Sequence, residues 1–105
     1  MTAKTLTAIV IDKPGSPDVL KPEQKPMPSP RAGEVLIEVA AAGINRPDIL
    51  QRMGLYPSPP GAPDWPGLEV AGRVIAVGVA VTSPKIGERV MALVAGGGYA
   101  THAIA

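Results

Sequence analysis

Thirteen prolines in a 105-residue chain set the strongest limit on what this sequence can fold into. They crowd into Pro14–Pro30 and Pro57–Pro66, and elsewhere the chain carries apolar runs with periodic patterning. A proline fixes φ and removes an N–H donor, so a proline-dense stretch supplies neither a long helix nor a full strand ladder. The runs between are short, alternating and rich in Val, Ile, Leu and Ala, the pattern of half-buried strands. Together with twelve glycines, the prolines approach the level at which disorder is considered. Their concentration in two stretches favours a loop-rich folded domain instead. By length it is one domain, with a modest core built from aliphatic residues, since there is no Phe and only one Trp.

In chain order, Leu6–Ile11 reads as a strand closed by the turn Lys13-Pro14-Gly15. Val19–Lys21 reads as a brief second strand pairing back, and Pro22–Pro30 as an extended spacer along the surface or a sheet edge. Val35–Ala42 is the clearest strand, with Val35, Ile37 and Val39 on one face and Leu36, Glu38 and Ala40 on the other. The small Ala40–Ala42 mark a place for close approach. Gly43 lets the chain bend into a two-turn helix, Arg46–Arg52, capped by Asn45, with Pro47 and Asp48 in its first turn and Gly54 at its end. Ile49, Leu50 and Met53 are expected to face the sheet. Leu68–Val77 is a long strand with a bend or bulge at Gly72. Val70, Val74 and Ala76 are assigned to one face, with Glu69, Arg73, Ile75 and Val77 opposite. Arg89–Ala95 and Tyr99–Ala105 read as further strands, with Gly96-Gly97-Gly98 a flexible turn. The chain stops on an alternating apolar segment, as a sequence cut inside a domain does. The expectation is a small, mostly β, partly open barrel with one short helix.

Several chemistries are excluded. Net charge is +1 with scattered basic residues, so no basic stripe or basic–aromatic platform serves nucleic acid. There is no cysteine, hence no disulfide or thiolate site. The N-terminal apolar run is too short for a signal core or a membrane span, which leaves the cytoplasm as the default compartment. Neither a dinucleotide fingerprint nor a P-loop is present. His102 alone cannot assemble a metal site and reads as a sheet histidine. Glu69 suggests a salt bridge to Arg73 or Arg46, or a part in shaping a site. Asn45 is a helix cap whose amide could also line a pocket. Tyr56 is a rim tyrosine or a hydrogen-bond donor to a substrate oxygen. Trp65 reads as a lid over the core.

The runs AIVIDKPGSPDVL, GEVLIEVAAAGINRPDILQRMGLYPSPPG, PGLEVAGRVIAVG and IGERVMALVAGGGYATHAIA, in this order and spacing, resemble the N-terminal GroES-like domain of the medium-chain dehydrogenase/reductase superfamily. Within it they are most similar to the zinc-independent quinone oxidoreductases of the p53-inducible type. Zinc-dependent relatives carry a cysteine where this chain has Asn45 and a histidine where it has Leu68. They also insert a four-cysteine lobe where it runs directly to Gly96. The resemblance therefore implies hydride transfer from NADPH to a quinone or activated enone without zinc. It implies catalytic roles for Asn45 and Tyr56, and cofactor contacts by Asn45 and Arg46. It further implies that residues 1–105 are one part of a longer cytoplasmic homodimer whose Rossmann domain holds most of the cofactor, and that this segment alone is inactive. Two alternatives stand beside it: an enoyl-thioester reductase segment, and a non-catalytic stand-alone β module that binds a protein partner.

Overall fold

The computed structural model describes residues 5–105. Among these the elements run β1 (Thr5–Ile11), β2 (Leu20–Pro26), β3 (Val35–Ala42), α1 (Arg46–Arg52), β4 (Glu69–Val77), β5 (Arg89–Leu93) and β6 (His102–Ile104). A 3-10 turn at Pro17–Val19 precedes β2. The chain is mostly β and unclosed, as expected: β5-β4-β3-β6 form one antiparallel sheet, and β1 and β2 form a two-stranded one. The segment just before β6 links the two. Ile9 N–H donates to the Tyr99 carbonyl at 2.8 Å, Thr101 N–H to Thr7 at 2.9 Å, and Val39 N–H to Thr101 at 2.8 Å. One short stretch thus bonds to both β1 and β3, and the sheets curl around it.

The core is aliphatic. Val35 and Ile37 of β3, Val70 and Val74 of β4, and Ala103 of β6 form its buried centre, with Val39, Val77, Val90 and Ala92 packed around them. Two irregularities in the β3–β4 register shape this layer. Leu36 pairs with Ala76 but Ile37 with Val74, so Ile75 is an extra residue on β4. Val39 pairs with Gly72 but Ala41 with Ala71, so Ala40 is extra on β3. Gly72 does mark a bulge. A side chain there would run into the Glu38 carbonyl and lie 2.9 Å from Ile37 Cγ2. The bulge at Ile75 switches the side of everything after it. Val77 consequently packs on the core with Val74, contrary to strict alternation, which assigned it to the face of Glu69. Leu36, assigned to the half-solvated face with Glu38, is also buried.

β2 is longer than its prolines suggested. It runs through Pro22 to Pro26, pairing Ile9 with Pro22 and Thr5 with Pro26. Both prolines share parity on an edge strand of a two-stranded sheet, so their missing donors can fall on the unpaired side. Val19, expected to begin this strand, instead closes the 3-10 turn.

Gly96–Gly98 is no flexible turn. Gly97 and Gly98 are buried, and their N–H groups donate to the carbonyls of Trp65 (2.9 Å) and Gly67 (3.0 Å). Tyr99 N–H donates to Pro66 at 2.9 Å, and Trp65 Nε1–H to the Gly97 carbonyl at 3.0 Å. Gly67, at φ +113°, has the Gly98 Cα 2.6 Å from where its own Cβ would stand. Two backbones touch here because neither carries a side chain. Trp65 therefore seals this latch rather than the aliphatic centre, with Lys25 Nζ 5.8 Å from its ring centroid.

Candidate functional site

Helix α1 is only seven residues long and would not persist alone in water. Sheet packing is not its main support: Ile49 and Leu50 are half-buried, while Met53, expected to face the sheet, is 44% exposed. Polar tethers hold it instead. Arg52 Nε donates to the Gly15 carbonyl at 3.0 Å, and Gly15 N–H donates back to the Arg52 carbonyl at 3.0 Å. Gln51 Nε2 donates to Ser58 Oγ at 3.0 Å and to the Asp64 carbonyl at 3.1 Å, binding the proline loop to the helix. The helix closes with Gly54 N–H bonded to the Gln51 carbonyl and Leu55 N–H to that of Leu50, and Gly54 has φ +81°. This pair of bonds is a Schellman ending, as the glycine foretold.

The helix starts at Asn45, whose backbone is extended (φ −132°, ψ 160°); the Asn45 side chain makes no capping hydrogen bond, and the Asp48 carboxylate supplies the cap instead. Asn45 N–H donates to Asp48 Oδ2 at 2.9 Å, and Asp48 N–H to the Asn45 carbonyl at 3.0 Å. Asp48 is only 4% exposed, the single buried charged side chain among the described residues. Its Oδ2 also accepts from the Tyr99 hydroxyl at 2.7 Å, while Oδ1 is buried and accepts no hydrogen bond. Burial, then the hydrogen bond to Asp48, then the charge of Asp48 raise the Tyr99 hydroxyl well above the ordinary tyrosine range. Tyr99 is accordingly a fixed donor at neutral pH. Sequence reasoning assigned Asp48 to the helix dipole and Tyr99 to a strand. Their meeting across 51 positions had no local signal.

Of the residues singled out from the sequence, Asn45 is half-buried and Arg46 exposed at the start of α1, and Tyr56 is half-buried beyond its end. The helix between them is about 10 Å long, so Asn45 and Tyr56 stand beyond its opposite ends. Three cavities of the domain lie away from all three residues. One cavity of about 740 Å³ lies between the proline segments and β6, reached by Arg31, Trp65 and His102. Two open troughs of about 590 and 530 Å³ run over β3, β4 and β5 along Ala40–Ala42. Ala40, Ala41 and Ala42 are exposed there, with Ala41 and Ala42 paired to Ala71 and Val70 of β4.

Glu69 forms no salt bridge with any described residue. Among the described residues the one ion pair is Lys25–Glu23 at 3.6 Å. The Glu69 side chain instead fills the space that a side chain at Gly43 would need, and Arg73 Nη1 donates to the Gly87 carbonyl at 2.6 Å. His102 Nδ1 lies 3.0 Å from Thr101 Oγ1. Among the described residues no group of His, Cys, Asp or Glu could hold a metal ion, and no helix is long and apolar enough to cross a membrane.

The profile of the alcohol dehydrogenase GroES-like domain matches residues 31–104, from the turn before β3 to the end of β6. The chain belongs to this family. As a GroES-like domain it is 42% identical to the quinone oxidoreductase of Sus scrofa over 104 residues, covering 97% of the chain and 32% of that protein. The domain superposes on the human synaptic vesicle membrane protein VAT-1 homolog-like protein with a TM-score of 0.87 at 37% identity, covering 96% of the chain and 33% of that one. The quinone oxidoreductase of Coxiella burnetii gives 0.86 at 32% identity (97% and 35%). Mycobacterial Rv1454c, solved with NADPH, gives 0.78 at 36% (94% and 31%). The chain spans about a third of the length of the quinone oxidoreductases it matches.

Proposed function

We propose that this GroES-like domain is one wall of the active-site cleft of an NAD(P)H-dependent oxidoreductase that passes hydride to a quinone or an activated enone without zinc. The supporting observation is α1, tied at both ends, which presents Asn45 and Arg46 at its start and Tyr56 beyond its end. This arrangement lies in a chain 42% identical to a quinone oxidoreductase and 36% identical to a protein solved with NADPH.

The residues suit the nicotinamide end of the cofactor and not its phosphates. The N–H groups of Gly97 and Gly98 are committed to the carbonyls of Trp65 and Gly67, so this glycine run cannot cradle a pyrophosphate. Phosphate binding then belongs to a Rossmann domain elsewhere in a longer protein. NADPH, when bound, supplies the hydride. The Asn45 amide, both donor and acceptor, holds the ring carboxamide in register, and Arg46 adds a cation beside it. Tyr56 O–H donates to the substrate carbonyl, where negative charge develops as hydride arrives. Asn45 and Leu68 stand where zinc-dependent relatives have cysteine and histidine, and neither side chain is a usual zinc ligand. The same reading makes the complete protein a cytoplasmic homodimer.

The test uses the full-length protein. NADPH oxidation should require a small ortho- or para-quinone, metal analysis should find no stoichiometric zinc, and Tyr56→Phe should lower kcat by about tenfold to a hundredfold. Absence of turnover with quinones and enones, or a tightly held zinc, rejects the assignment. Turnover of enoyl thioesters alone transfers it to an enoyl reductase.

A further inference from the structure

A buried carboxylate is an expensive way to cap a seven-residue helix. An exposed Ser, Thr or Asp caps as well without desolvation. Asp48 is nevertheless 4% exposed, has no cation against it among the described residues, and leaves Oδ1 unpartnered. Such a group calls for a role other than stability. Its one well-bonded oxygen joins two things: the Asn45 N–H at 2.9 Å and the Tyr99 hydroxyl at 2.7 Å.

Tyr99 is itself a fixed post. Its N–H is bonded to Pro66 and its carbonyl to Ile9 N–H, and it directly follows the buried Gly97 and Gly98. Bonds from both sides leave its backbone little freedom. The other end of α1 is tied by the backbone bond from Gly15 N–H to the Arg52 carbonyl and by the side chains of Gln51 and Arg52, but these ties lie about two helical turns from Asn45. What sets the position of Asn45 is therefore a rigid series running from the glycine latch through Tyr99 and Asp48.

We propose that Asp48 and Tyr99 are the positioning residues of this site, fixing Asn45 against the nicotinamide, a role that presupposes Asn45 acting as proposed above. Neither residue touches substrate or cofactor. Each acts through Asn45.

The experiment uses full-length protein bearing Tyr99→Phe, Asn45→Ala, and both together. Tyr99→Phe keeps the ring and removes only the donor. It should lower kcat about tenfold, since sub-ångström loosening at a reacting centre has this scale of effect. KM for the quinone should not change. The primary deuterium isotope effect with NADPH deuterated at the transferred position should rise, as hydride transfer becomes more rate-limiting. In the Asn45→Ala background the same change should cost nothing further. Asp48→Asn, which retains an acceptor oxygen, should keep more activity than Asp48→Ala, and this pair decides if Tyr99→Phe does not fold. A Tyr99→Phe protein with wild-type kcat and isotope effect, or losses that multiply in the double variant, overturns the positioning role alone. An Asn45→Ala protein as active as wild type removes Asn45 from the site, and so rejects the assignment on which this role stands.

Discussion

At the scale of single residues, the Asp48–Tyr99 bond gives the clearest physical consequence. The folded state raises the Tyr99 pKa above its ordinary value near 10, so the native protein holds that proton more tightly than the unfolded chain does. Its contribution to stability is complete below pH 10 and is lost as pH rises from there toward the raised value. Denaturant unfolding should show wild type losing stability faster than Tyr99→Phe above pH 10, with no such divergence between pH 6 and 9. The difference tyrosinate titration between the two proteins should contain one late step. Gly67 gives a second consequence. With φ +113° and the Gly98 backbone against it, Gly67→Ala should cost about 2 kcal/mol or more, seen as a lowered denaturation midpoint. Gly33, also at positive φ but in open space, should cost only about 1 kcal/mol when changed to Ala. Little of this could be read from the sequence. Asn45, Pro47 and Gly54 announce their roles through spacing of a few residues, but Asp48 and Tyr99, or Gly67 and Gly98, meet only through the fold.

Among the elements, those specified by local pattern were legible and those specified by pairing were not. β3 and α1 have the bounds their residues foretold, Val35–Ala42 and Arg46–Arg52, because alternation and capping are local. β2 was obscured by Pro22 and Pro26, whose tolerance depends on which side of the strand faces β1. The faces of β4 were misassigned beyond Ile75, because a bulge inverts parity without any marker in composition. α1 shows the same contrast in its support, which comes from side chains reaching three different loops. Gln51→Ala should therefore free the proline loop from the helix. The expected cost is about 1 kcal/mol, with faster amide exchange across residues 57–65 and little change in the β3–β4 pairing.

Over the whole molecule, the two sheets depend on the segment at residues 99–101, which bonds to β1 and to β3. The outer strand β5 presents Met91 and Leu93 at 88% and 84% exposure beside the alanine-lined troughs. Apolar side chains displayed in this way favour self-association of residues 1–105. Changing both to serine should leave the unfolding free energy within about 0.5 kcal/mol of wild type while lowering light scattering at high concentration.

The contact between Gly67 and Gly98 also makes β4, β5 and their connection a closed handle, sealed where it leaves the body of the protein and where it returns. Its mostly exposed bend at residues 82–86 is a place where a protease can cut. The nicked chain should remain a non-covalent pair of fragments, joined by the β4–β5 ladder and the glycine seam, and should come apart only when denaturant opens that seam.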